Sequence, residues 1–312
     1  MRGLVMIAGA LSLCTSPVLG QESGQWRVQA DGDLSAMLDC FEAQELTLVS
    51  AHRGGPSPGL PENALETMDA MLAAVPAIME LDVAASADGV LYLMHDDTLD
   101  RTTTGTGRAD AARWADIAQL HLRDEAGWAT PYRVPTLRAV LEWAADRTVL
   151  QIDFKRSAPY EPVIAMIRET GNADNVILIA YSLEAAARLH ALAPEMLISL
   201  AMDRPGAVAE AVAAGIPADR IVAFTGTRTV RPDLYAALNE ADVEVIFGTL
   251  GGARSIDRQL ERYGFDARYA ELGALGVDVI ATDRPREAAA ALSEAGRLPG
   301  EGQCGVARVG AE

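Results

Sequence analysis

Short apolar runs alternate with longer amphipathic stretches along most of this chain, beginning near Leu46. Short apolar runs between turn residues are typical of buried strands, whereas apolar residues spaced three and four apart indicate helices. The pattern predicts eight strands, over 46–51, 78–83, 148–154, 176–181, 196–202, 220–224, 244–247 and 277–282. It predicts helices over 64–74, 137–145, 161–170, 183–192, 207–214, 232–240, 255–275 and 286–295, with a break near Gly264.

This alternation predicts an α/β protein whose eight strands form one parallel sheet. If the sheet closes on itself, the fold is the (β/α)8 TIM barrel, although a doubly wound open sheet gives a similar string of elements. Polar residues end several of the predicted strands: His52, Arg53, Glu80, Asp82, Asp153, Lys155 and Asp283. Because barrel enzymes carry their active sites at the carboxyl ends of the strands, we expect a single-domain barrel with a site there.

Four segments divide the chain. Residues 1–20 are predicted to be a signal peptide, 21–45 an N-terminal extension, 46–298 the barrel and 299–312 an irregular tail. The longest interruption within the barrel is the stretch 98–135. We interpret this stretch as an excursion loop that leaves the second strand and passes over the site.

The first twenty residues have the features of a secretory signal peptide. Arg2 precedes an apolar run that ends at Leu13, and a small-residue cleavage site ends at Gly20. A membrane anchor is the competing interpretation, but the run is short and Pro17 breaks it soon afterwards. Cys14 follows a leucine where lipoprotein processing requires a small residue, which disfavours lipidation. We expect a secreted or periplasmic protein with no stable membrane anchor.

The chain is acidic, with a formal net charge of −18 over its 312 residues. Removal of residues 1–20 takes away Arg2 and no acidic residue, so 26 minus 1 leaves 25 basic against 44 acidic residues, or −19. Such a surface repels nucleic acid and anionic membranes, although solubility alone accounts for most of the charge. We expect no nucleic-acid partner. The sequence gives no indication of the oligomeric state.

Two cysteines, Cys40 and Cys304, remain after the signal peptide, near the two ends of the mature chain. In an oxidising compartment they favour a disulfide that ties the termini together. Two buried free thiols are the alternative.

The stretch 78–96 concentrates candidate chemistry. Side chains alternate along a strand, so Glu80 and Asp82 share one face. Asp88-Gly89 is a two-residue hairpin turn, and without a bulge it pairs Asp82 with His95 and puts the imidazole beside the carboxylates. An edge hairpin whose polar face is simply hydrated is the plainer alternative.

The third predicted strand adds Asp153 and Lys155 on one face, where a structural salt bridge is the plain interpretation. Together with Glu80 and Asp82 on the neighbouring strand, Asp153 completes a cluster of three carboxylates. Oxygen ligands without sulfur or several imidazoles favour one divalent cation, Mg²⁺ or Ca²⁺, over zinc or copper. Lys155 supplies a point charge suited to a phosphate oxygen.

The first strand ends in His52 and Arg53, which in the plain interpretation are hydrogen-bonded to nearby backbone. The hairpin offers His52 a functional partner in His95. Two imidazoles that flank a reacting phosphorus can divide the proton transfers, one accepting from the nucleophile and the other donating to the leaving oxygen. His121 and His190 lack acidic neighbours, and we expect both on the surface.

A series of short motifs follows the chain from the first predicted strand to the last. The motifs are His52-Arg53-Gly54, Pro61-Glu62-Asn63, Glu80-x-Asp82, Asp88-Gly89, His95-Asp96, Arg101-Thr102-Thr103, Val134-Pro135-Thr136-Leu137, Asp153-x-Lys155, Gly276-Val277-Asp278 and Thr282-Asp283-Arg284-Pro285. In this order and spacing they resemble the signature of the glycerophosphodiester phosphodiesterases. The resemblance covers nearly the whole mature chain.

The resemblance implies a metal-dependent barrel that hydrolyses a small-molecule glycerophosphodiester substrate to glycerol 3-phosphate and an alcohol. The residues it implies are metal ligands Glu80, Asp82 and Asp153, an acid–base pair of His52 and His95, and phosphate-binding Arg53 and Lys155. It also implies that Glu62, at the rim of the site, is an additional ligand or orients His52. Water and the glycerol hydroxyl beside the phosphate are both candidates for the nucleophile.

Two departures from the family pattern concern the site. Asp153 stands where relatives usually have glutamate and is one methylene shorter. The seventh strand leads into residues 247–252 instead of a Trp-Thr-x-Asn pattern, so we expect a different pocket for glycerol or the alcohol. Two rival functions are a lysophospholipase D that acts on lipid-like diesters and a secreted protein that binds phosphodiesters without cleaving them. The two histidines and three carboxylates argue against the second rival.

Overall fold

A computed structural model describes residues 24–310 of the chain. The signal peptide predicted over residues 1–20 lies outside the described residues and stays a prediction. None of the helices in the described part is long and apolar enough to cross a membrane.

The described residues contain thirteen strands and eleven α-helices. The strands are β1 (Gly24–Val28), β2 (Leu48–Ala51), β3 (Ala77–Ala85), β4 (Leu91–Leu93), β5 (His121–Arg123), β6 (Ala129–Arg133), β7 (Leu150–Phe154), β8 (Val176–Ala180), β9 (Leu197–Ala201), β10 (Ile221–Phe224), β11 (Val245–Gly248), β12 (Val279–Thr282) and β13 (Val306–Gly310). The helices are α1 (Leu34–Ala43), α2 (Leu65–Leu72), α3 (Trp114–Ile117), α4 (Leu137–Ala144), α5 (Tyr160–Glu169), α6 (Leu183–Leu192), α7 (Gly206–Ala213), α8 (Pro232–Asn239), α9 (Ile256–Tyr263), α10 (Arg268–Ala274) and α11 (Pro285–Glu294).

All eight predicted strands are present, and they form a closed parallel barrel. Their spatial order is β2, β12, β11, β10, β9, β8, β7 and β3, and pairing of β2 with β3 closes the ring. Helices surround the barrel, and the predicted break near Gly264 separates α9 from α10, where the glycine has a φ of 67°. The barrel prediction is confirmed, and the open-sheet alternative is wrong.

Alternation along each strand divides its side chains into an outward and an inward set. Outward residues such as Leu81 and Ile152 pack against the surrounding helices in the main core. Inward residues near the amino ends form a second core, with one residue from or next to each barrel strand: Leu48, Ile78, Val149, Ile177, Leu197, Val222, Ile246 and Val279. Helix α1 closes this end of the barrel with apolar residues that include Leu38 and Phe41. The next inward positions along β3 are Glu80 and Asp82, which therefore lie towards the carboxyl end.

The hairpin after β3 has a different register from the predicted one. β3 pairs with β4 so that Val83 lies opposite Leu93. Met94 therefore falls beside Asp82, and the Met94 amide donates to the Asp82 carbonyl at 2.9 Å. The predicted pairing of Asp82 with His95 is wrong by one residue.

The turn of this hairpin explains the shift. The Ser86 amide donates to the Val90 carbonyl at 3.0 Å, so the loop holds three residues instead of the predicted two. Gly89 ends the loop with a φ of 81°, in the left-handed region that favours glycine. A three-residue loop with glycine at this position is a common hairpin connection, and a pattern of residue types does not distinguish it from the two-residue form.

The segment between β4 and α4 has a small apolar core of its own. It contains α3 and the antiparallel pair of β5 and β6. Leu99, Ile117 and Leu122 pack with Tyr92 in a third buried cluster. The predicted passage of this segment over the site stays a prediction.

The two ends of the described segment, β1 and β13, meet at the amino end of the barrel. The tail predicted to be irregular contains β13, which pairs antiparallel with β1, with Val306 opposite Val28. That prediction is wrong because the pairing joins segments from opposite ends of the sequence, which no local pattern reveals. Cys40 and Cys304 form a disulfide, as predicted, with 5.7 Å between their Cα atoms. The domain boundaries proposed at residues 45 and 298 stay predictions.

We expect the double substitution Cys40→Ser and Cys304→Ser to lower the free energy of unfolding by about 2 to 5 kcal/mol. The bond joins residues 264 positions apart and therefore restricts the unfolded chain over most of its length. Urea unfolding of the oxidised protein and of the variant measures the difference. Two thiols that alkylate freely in the exported, unreduced protein would contradict the disulfide.

Buried acids lie at the amino end of the barrel, under α1. Glu244 precedes β11 and Asp278 precedes β12, and their exposed fractions are 4% and 5%. Burial, together with a hydrogen bond that protonated Glu244 donates to Asp39, raises the pKa of Glu244 to about 9. Burial also raises the pKa of Asp278 to about 7, and the nearby charge of Glu42 adds to this. These acids are therefore protonated in the folded protein over a pH range in which they ionise in the unfolded chain.

An acid with a raised pKa in the folded state contributes stability below its unfolded pKa, and this stability is lost as pH rises to the folded pKa. We therefore expect these two acids to lower the free energy of unfolding as pH rises from about 4 to about 9, and of the two only Glu244 still contributes above about pH 7. Glu244→Gln cannot ionise and should therefore lack the loss of roughly 2 kcal/mol that the wild type shows between about pH 7 and about pH 9. Urea unfolding at several pH values measures the slope, with the exposed Glu240→Gln as control. A wild-type slope in Glu244→Gln would contradict the assignment.

Candidate active site

Three carboxylates meet inside the carboxyl end of the barrel. Glu80 and Asp82 belong to β3, and Asp153 belongs to β7. The register of these neighbouring strands pairs Asp82 with Asp153. Each carboxylate offers an oxygen within 4.8 Å of the other two, and all three residues are buried. The fold thus brings together the three residues that the sequence proposes as metal ligands.

The electrostatics of this cluster fit a divalent cation. Burial and the neighbouring Asp82 raise the pKa of Glu80 to about 7. Asp153 Oδ1 is buried and has no hydrogen-bond partner among the described residues. A buried carboxylate oxygen without a partner is costly, and a cation that coordinates it removes that cost. Because the donors are all oxygen atoms, the set fits Mg²⁺ or Ca²⁺.

Neighbouring side chains hold the carboxylates in place. The Lys155 ammonium donates at 2.6 Å both to Asp82 Oδ1 and to Asp153 Oδ2. The Asn63 amide donates to Asp82 Oδ2 at 2.7 Å, and the Tyr181 hydroxyl donates to Asp153 Oδ2 at 3.0 Å. Burial favours a higher pKa for Asp82, but the charge and hydrogen bonds of Lys155 and Asn63 outweigh it and lower the pKa. Asp82 is therefore ionised, with its oxygens oriented towards the cluster.

His52 is held by a carboxylate from the last barrel strand. Its Nδ1 lies 2.6 Å from Asp283 Oδ1, and its Nε2 lies 3.9 Å from Glu80 Oε2. Burial favours a higher pKa for Asp283, but the hydrogen bond with His52 outweighs it and lowers the pKa. An ionised carboxylate only accepts, so His52 Nδ1 carries the proton that it donates to Asp283. The other ring nitrogen, Nε2, is directed towards Glu80.

His95 is held in a similar way at the end of a chain of ionic contacts. Its Nδ1 lies 2.7 Å from Asp96 Oδ1, and Arg101 Nε donates to the other oxygen of Asp96 at 2.7 Å. Arg101 Nη1 also donates to Glu62 at 2.7 Å, and Arg53 Nη1 donates to both oxygens of Glu62 at 3.0 Å. The hydrogen bonds from Arg101 hold the pKa of Asp96 well below its usual range. The contacts therefore run without interruption from Arg53 to His95.

Glu62 has a different place from the predicted one. In the described part of the chain it is not a member of the carboxylate cluster, and it does not orient His52, whose partner is Asp283. Instead it lies between Arg53 and Arg101 and neutralises part of their charge. The sequence resemblance identified Glu62 as a site residue but not its partners, which are set by the fold of the loops.

The backbone around Arg53 is unusual. Arg53 and Asn63 have φ values of 53° and 56°, in the left-handed region that side chains other than glycine seldom adopt. The backbone N–H of Asn63 donates to the backbone carbonyl of Arg53 at 2.9 Å, which links the two positions. The Arg53 amide also donates to Glu80 Oε2 at 2.8 Å. Arg53 Nε is buried 3.7 Å from Asp82 Oδ2 and has no hydrogen-bond partner within residues 24–310.

These groups line a cavity of about 180 Å³. The carboxylate cluster, Lys155 and both site histidines occupy one side. The other side is largely apolar and includes Ile179, Phe224 and Leu250. The charged side suits a phosphate group, and the apolar side suits the carbon skeleton of a substrate.

Several partners of the site were not assigned from the sequence. Asn63 and Asp96 lie within the motifs, and Asp283 ends the last predicted strand, but nothing local tells which side chain each one contacts. Tyr181 directly follows β8. It lies four residues after the inward-facing Ile177, so the alternation of side chains along the strand is sufficient to predict that Tyr181 also faces inward. His121 and His190 are half-buried instead of exposed.

Two imidazoles whose Nδ1 atoms are held by carboxylates can exchange protons across a cavity that offers oxygen ligands for a cation. With the barrel, this arrangement is typical of a class of (β/α)8 hydrolases. Residues 52–217, more than half of the chain, match the family described as the Glycerophosphoryl diester phosphodiesterase family. The chain belongs to this family.

The chain is similar to several known glycerophosphodiester phosphodiesterases. A glycerophosphodiester phosphodiesterase from Caldanaerobacter subterraneus subsp. tengcongensis is 31% identical over 161 residues, which cover 49% of this chain and 66% of that relative. The crystal structure of a glycerophosphoryl diester phosphodiesterase from Parabacteroides distasonis matches with a TM-score of 0.80 and 29% identity, over 89% of this chain and 96% of that one. An Oleispira antarctica phosphodiesterase, solved in complex with the product sn-glycerol-3-phosphate, matches in fold with a TM-score of 0.60 and 22% identity, over 80% of this chain and 98% of that one.

Proposed function

We propose that the protein hydrolyses glycerophosphodiesters to glycerol 3-phosphate and an alcohol, and that it requires one divalent cation, Mg²⁺ or Ca²⁺. Family membership supports the reaction. The observation that carries the metal requirement is the buried Asp153 Oδ1. It lies next to two further buried carboxylates and has no hydrogen-bond partner in the described part of the chain. Glu80, Asp82 and Asp153 would hold the cation. Once bound, the cation supplies positive charge that stabilises the charge developing on the phosphate oxygens.

The proton transfers belong to the two histidines in this proposal. A carboxylate fixes Nδ1 of each ring, and both residues line the cavity, which supports a role for their Nε2 atoms in proton transfer. We assign the general base to His95, which lies near Asp82, and the general acid to His52. Attack by water gives glycerol 3-phosphate directly, whereas attack by the neighbouring glycerol hydroxyl gives a cyclic phosphate first.

Arg53 and Lys155 are assigned to the phosphate group. Lys155 lines the cavity, and Arg53 keeps one buried N–H donor that has no partner among the described residues. The side chains of Arg53 and Lys155 both lie next to Asp82, which would also bind the metal. Because the metal would neutralise part of the Asp82 charge, the positive charges of Arg53 and Lys155 are available to an anionic substrate. Tyr181, which contacts Asp153 and lines the same cavity, is assigned to positioning that ligand.

A panel of diesters tests the proposed reaction. We expect the protein to release glycerol 3-phosphate from glycerophosphodiesters with Mg²⁺ or Ca²⁺, and the rate to fall to background with chelator, because the buried carboxylates then lack their cation. The measurement is product formation by coupled assay, with early samples analysed for the cyclic phosphate. Saturable binding of the diesters without any product would favour the rival binding protein.

The apolar side of the cavity favours a second candidate, hydrolysis of lipid-like diesters. Ile179, Phe224 and Leu250 offer a surface on which an acyl-bearing glycerol can pack. A lysophospholipid therefore belongs in the panel beside its deacylated counterpart. Faster turnover of the lysophospholipid would favour this candidate over the water-soluble diesters.

We also propose that the protein is exported. The signal pattern at residues 1–20 and the disulfide between Cys40 and Cys304 support this location, since disulfides persist in oxidising compartments. Fractionation with N-terminal sequencing is the test. A mature protein that starts at Met1 in the cytoplasm would refute the proposal.

A further inference from the structure

A larger cavity opens next to the active site, between the loop after β10 and the loop after β11. Its volume is about 670 Å³, and we call it the outer groove. The residues that define it here are Thr227, Arg228, Leu250, Gly251, Gly252 and Arg254. Both loops leave the carboxyl ends of barrel strands, so the groove lies on the same face of the barrel as the catalytic groups.

The outer groove and the active-site cavity share a wall. Leu250 lines both of them. Gly248 lies between Thr227 of the outer groove and Phe224 of the active-site cavity. A Cβ atom placed on Gly248 would lie 2.7 Å from Thr227 and 3.4 Å from Phe224, so these two side chains approach the same point. A substrate that extends from the carboxylates past Leu250 therefore enters the outer groove.

The outer groove is positively charged in a strongly acidic protein. Arg228 and Arg254 are exposed, and across residues 24–310 neither has a carboxylate within ion-pair distance. In the part of the chain that the structure describes, no aspartate or glutamate lines the groove. The whole chain has a net charge of −18, so a surface with two uncompensated guanidinium groups differs from its surroundings. Guanidinium groups bind phosphate well because their planar N–H donors match its oxygens.

We propose that the outer groove binds a second phosphate group, carried by the alcohol part of the substrate. This inference rests on the proposed function, since it assumes that the diester phosphorus lies at the carboxylates and histidines. The apolar wall at Leu250 contacts the carbon skeleton between the two phosphates, and Arg228 and Arg254 bind the distal one. The enzyme then prefers glycerophosphodiesters whose alcohol is itself phosphorylated.

Two matched substrates test the preference. Glycerophosphoinositol and glycerophosphoinositol 4-phosphate differ only by a phosphate on the alcohol. We expect kcat/KM of the wild type to be about 10-fold higher for the phosphorylated compound at about 0.05 M salt, and the ratio to approach one at about 0.5 M, because salt screens exposed charges.

The arginines are tested by Arg228→Gln, Arg254→Gln and their combination. Exposed ion pairs are weak, so each single variant should lower the ratio about 3-fold and the double variant about 10-fold. The kcat/KM for glycerophosphoinositol should not change, because that substrate has no second phosphate. Arg262→Gln is the matched control, since Arg262 is an exposed arginine at the end of α9 that does not line the groove.

An unchanged ratio in the double variant would overturn the proposal. Equal losses on both substrates would also overturn it, since they would show that the arginines only support the loops. Equilibrium binding of the two compounds in chelator provides a measurement that does not depend on turnover. A wild type that cleaves neither compound but binds the phosphorylated one more tightly, through the two arginines, would contradict the proposed hydrolysis and still support the outer groove.

Discussion

Replacing Asp82 with asparagine is expected to abolish metal binding and to lower kcat/KM by more than the roughly 10- to 100-fold that loss of an outer partner of a metal site costs. The Asp82 side chain is 1% exposed, and its two oxygens accept from Lys155 and from Asn63. An asparagine side chain fills the same space but has a single acceptor oxygen, so it keeps one of these two contacts. The variant removes one of the three charged oxygen donors that would hold the cation. Glu80 and Asp153 alone leave the ion with two carboxylates, and the Lys155 ammonium competes with it for Asp153.

Metal content and turnover must be measured in parallel on the same samples. We expect both to be lost together in Asp82→Asn, while the far-ultraviolet circular dichroism spectrum keeps its barrel signature. Asp203→Asn, which changes an exposed aspartate two residues after β9 at the same end of the barrel, is the matched control and should keep both properties. Full activity of chelator-treated wild type would remove the metal from the mechanism.

The second large effect concerns the departing alcohol. An alkoxide is a poor leaving group at neutral pH, so its departure requires a proton, and a positioned general acid contributes about 100-fold to 10,000-fold. We expect His52→Ala and His95→Ala both to lose activity in this range on a glycerophosphodiester of an alkyl alcohol. On a substrate that releases a nitrophenol, the leaving group is already a stable anion. The variant that lacks the general acid should therefore recover on that substrate, and the variant that lacks the base should not.

This comparison assigns the two histidines separately. We expect recovery of His52→Ala alone, because His52 is the proposed acid. Recovery of His95→Ala instead would reverse the assignment, and unchanged rates in both variants on both substrates would exclude the histidines from the chemistry. His121→Ala is a suitable control, since this half-buried histidine contacts the Thr130 carbonyl at 2.9 Å and does not line the active-site cavity.

Local alternation was sufficient to predict the carboxylate cluster. Glu80 and Asp82 share a face because side chains alternate along any strand, and Asp153 joins them because its strand follows next in the barrel. The order of elements also predicted eight parallel strands, but by itself it did not distinguish a closed ring from an open sheet. These features depend on short stretches of sequence and on general rules of chain connection, which a single sequence contains.

The contacts that orient the catalytic groups could not be predicted in the same way. The bond between His52 and Asp283 joins residues 231 positions apart, and it exists because the closing of the barrel makes the first and last strands neighbours. The predicted pairing of His95 with Asp82 is wrong because one additional residue in the turn shifts the register of the whole hairpin. The pairing of β1 with β13 likewise depends on where the two chain ends arrive in space.

Helix α1 shows that the part of the chain needed for folding is larger than the part that carries the catalytic residues. A fragment limited to residues 46–298 would keep every proposed catalytic and metal-binding residue but lose α1. The inward residues at the amino end, such as Leu48 and Ile246, would then be open to water where Phe41 now covers them. An exposed apolar patch of this kind promotes aggregation. Truncation experiments that aim for the smallest active enzyme should therefore retain the chain from β1 to β13.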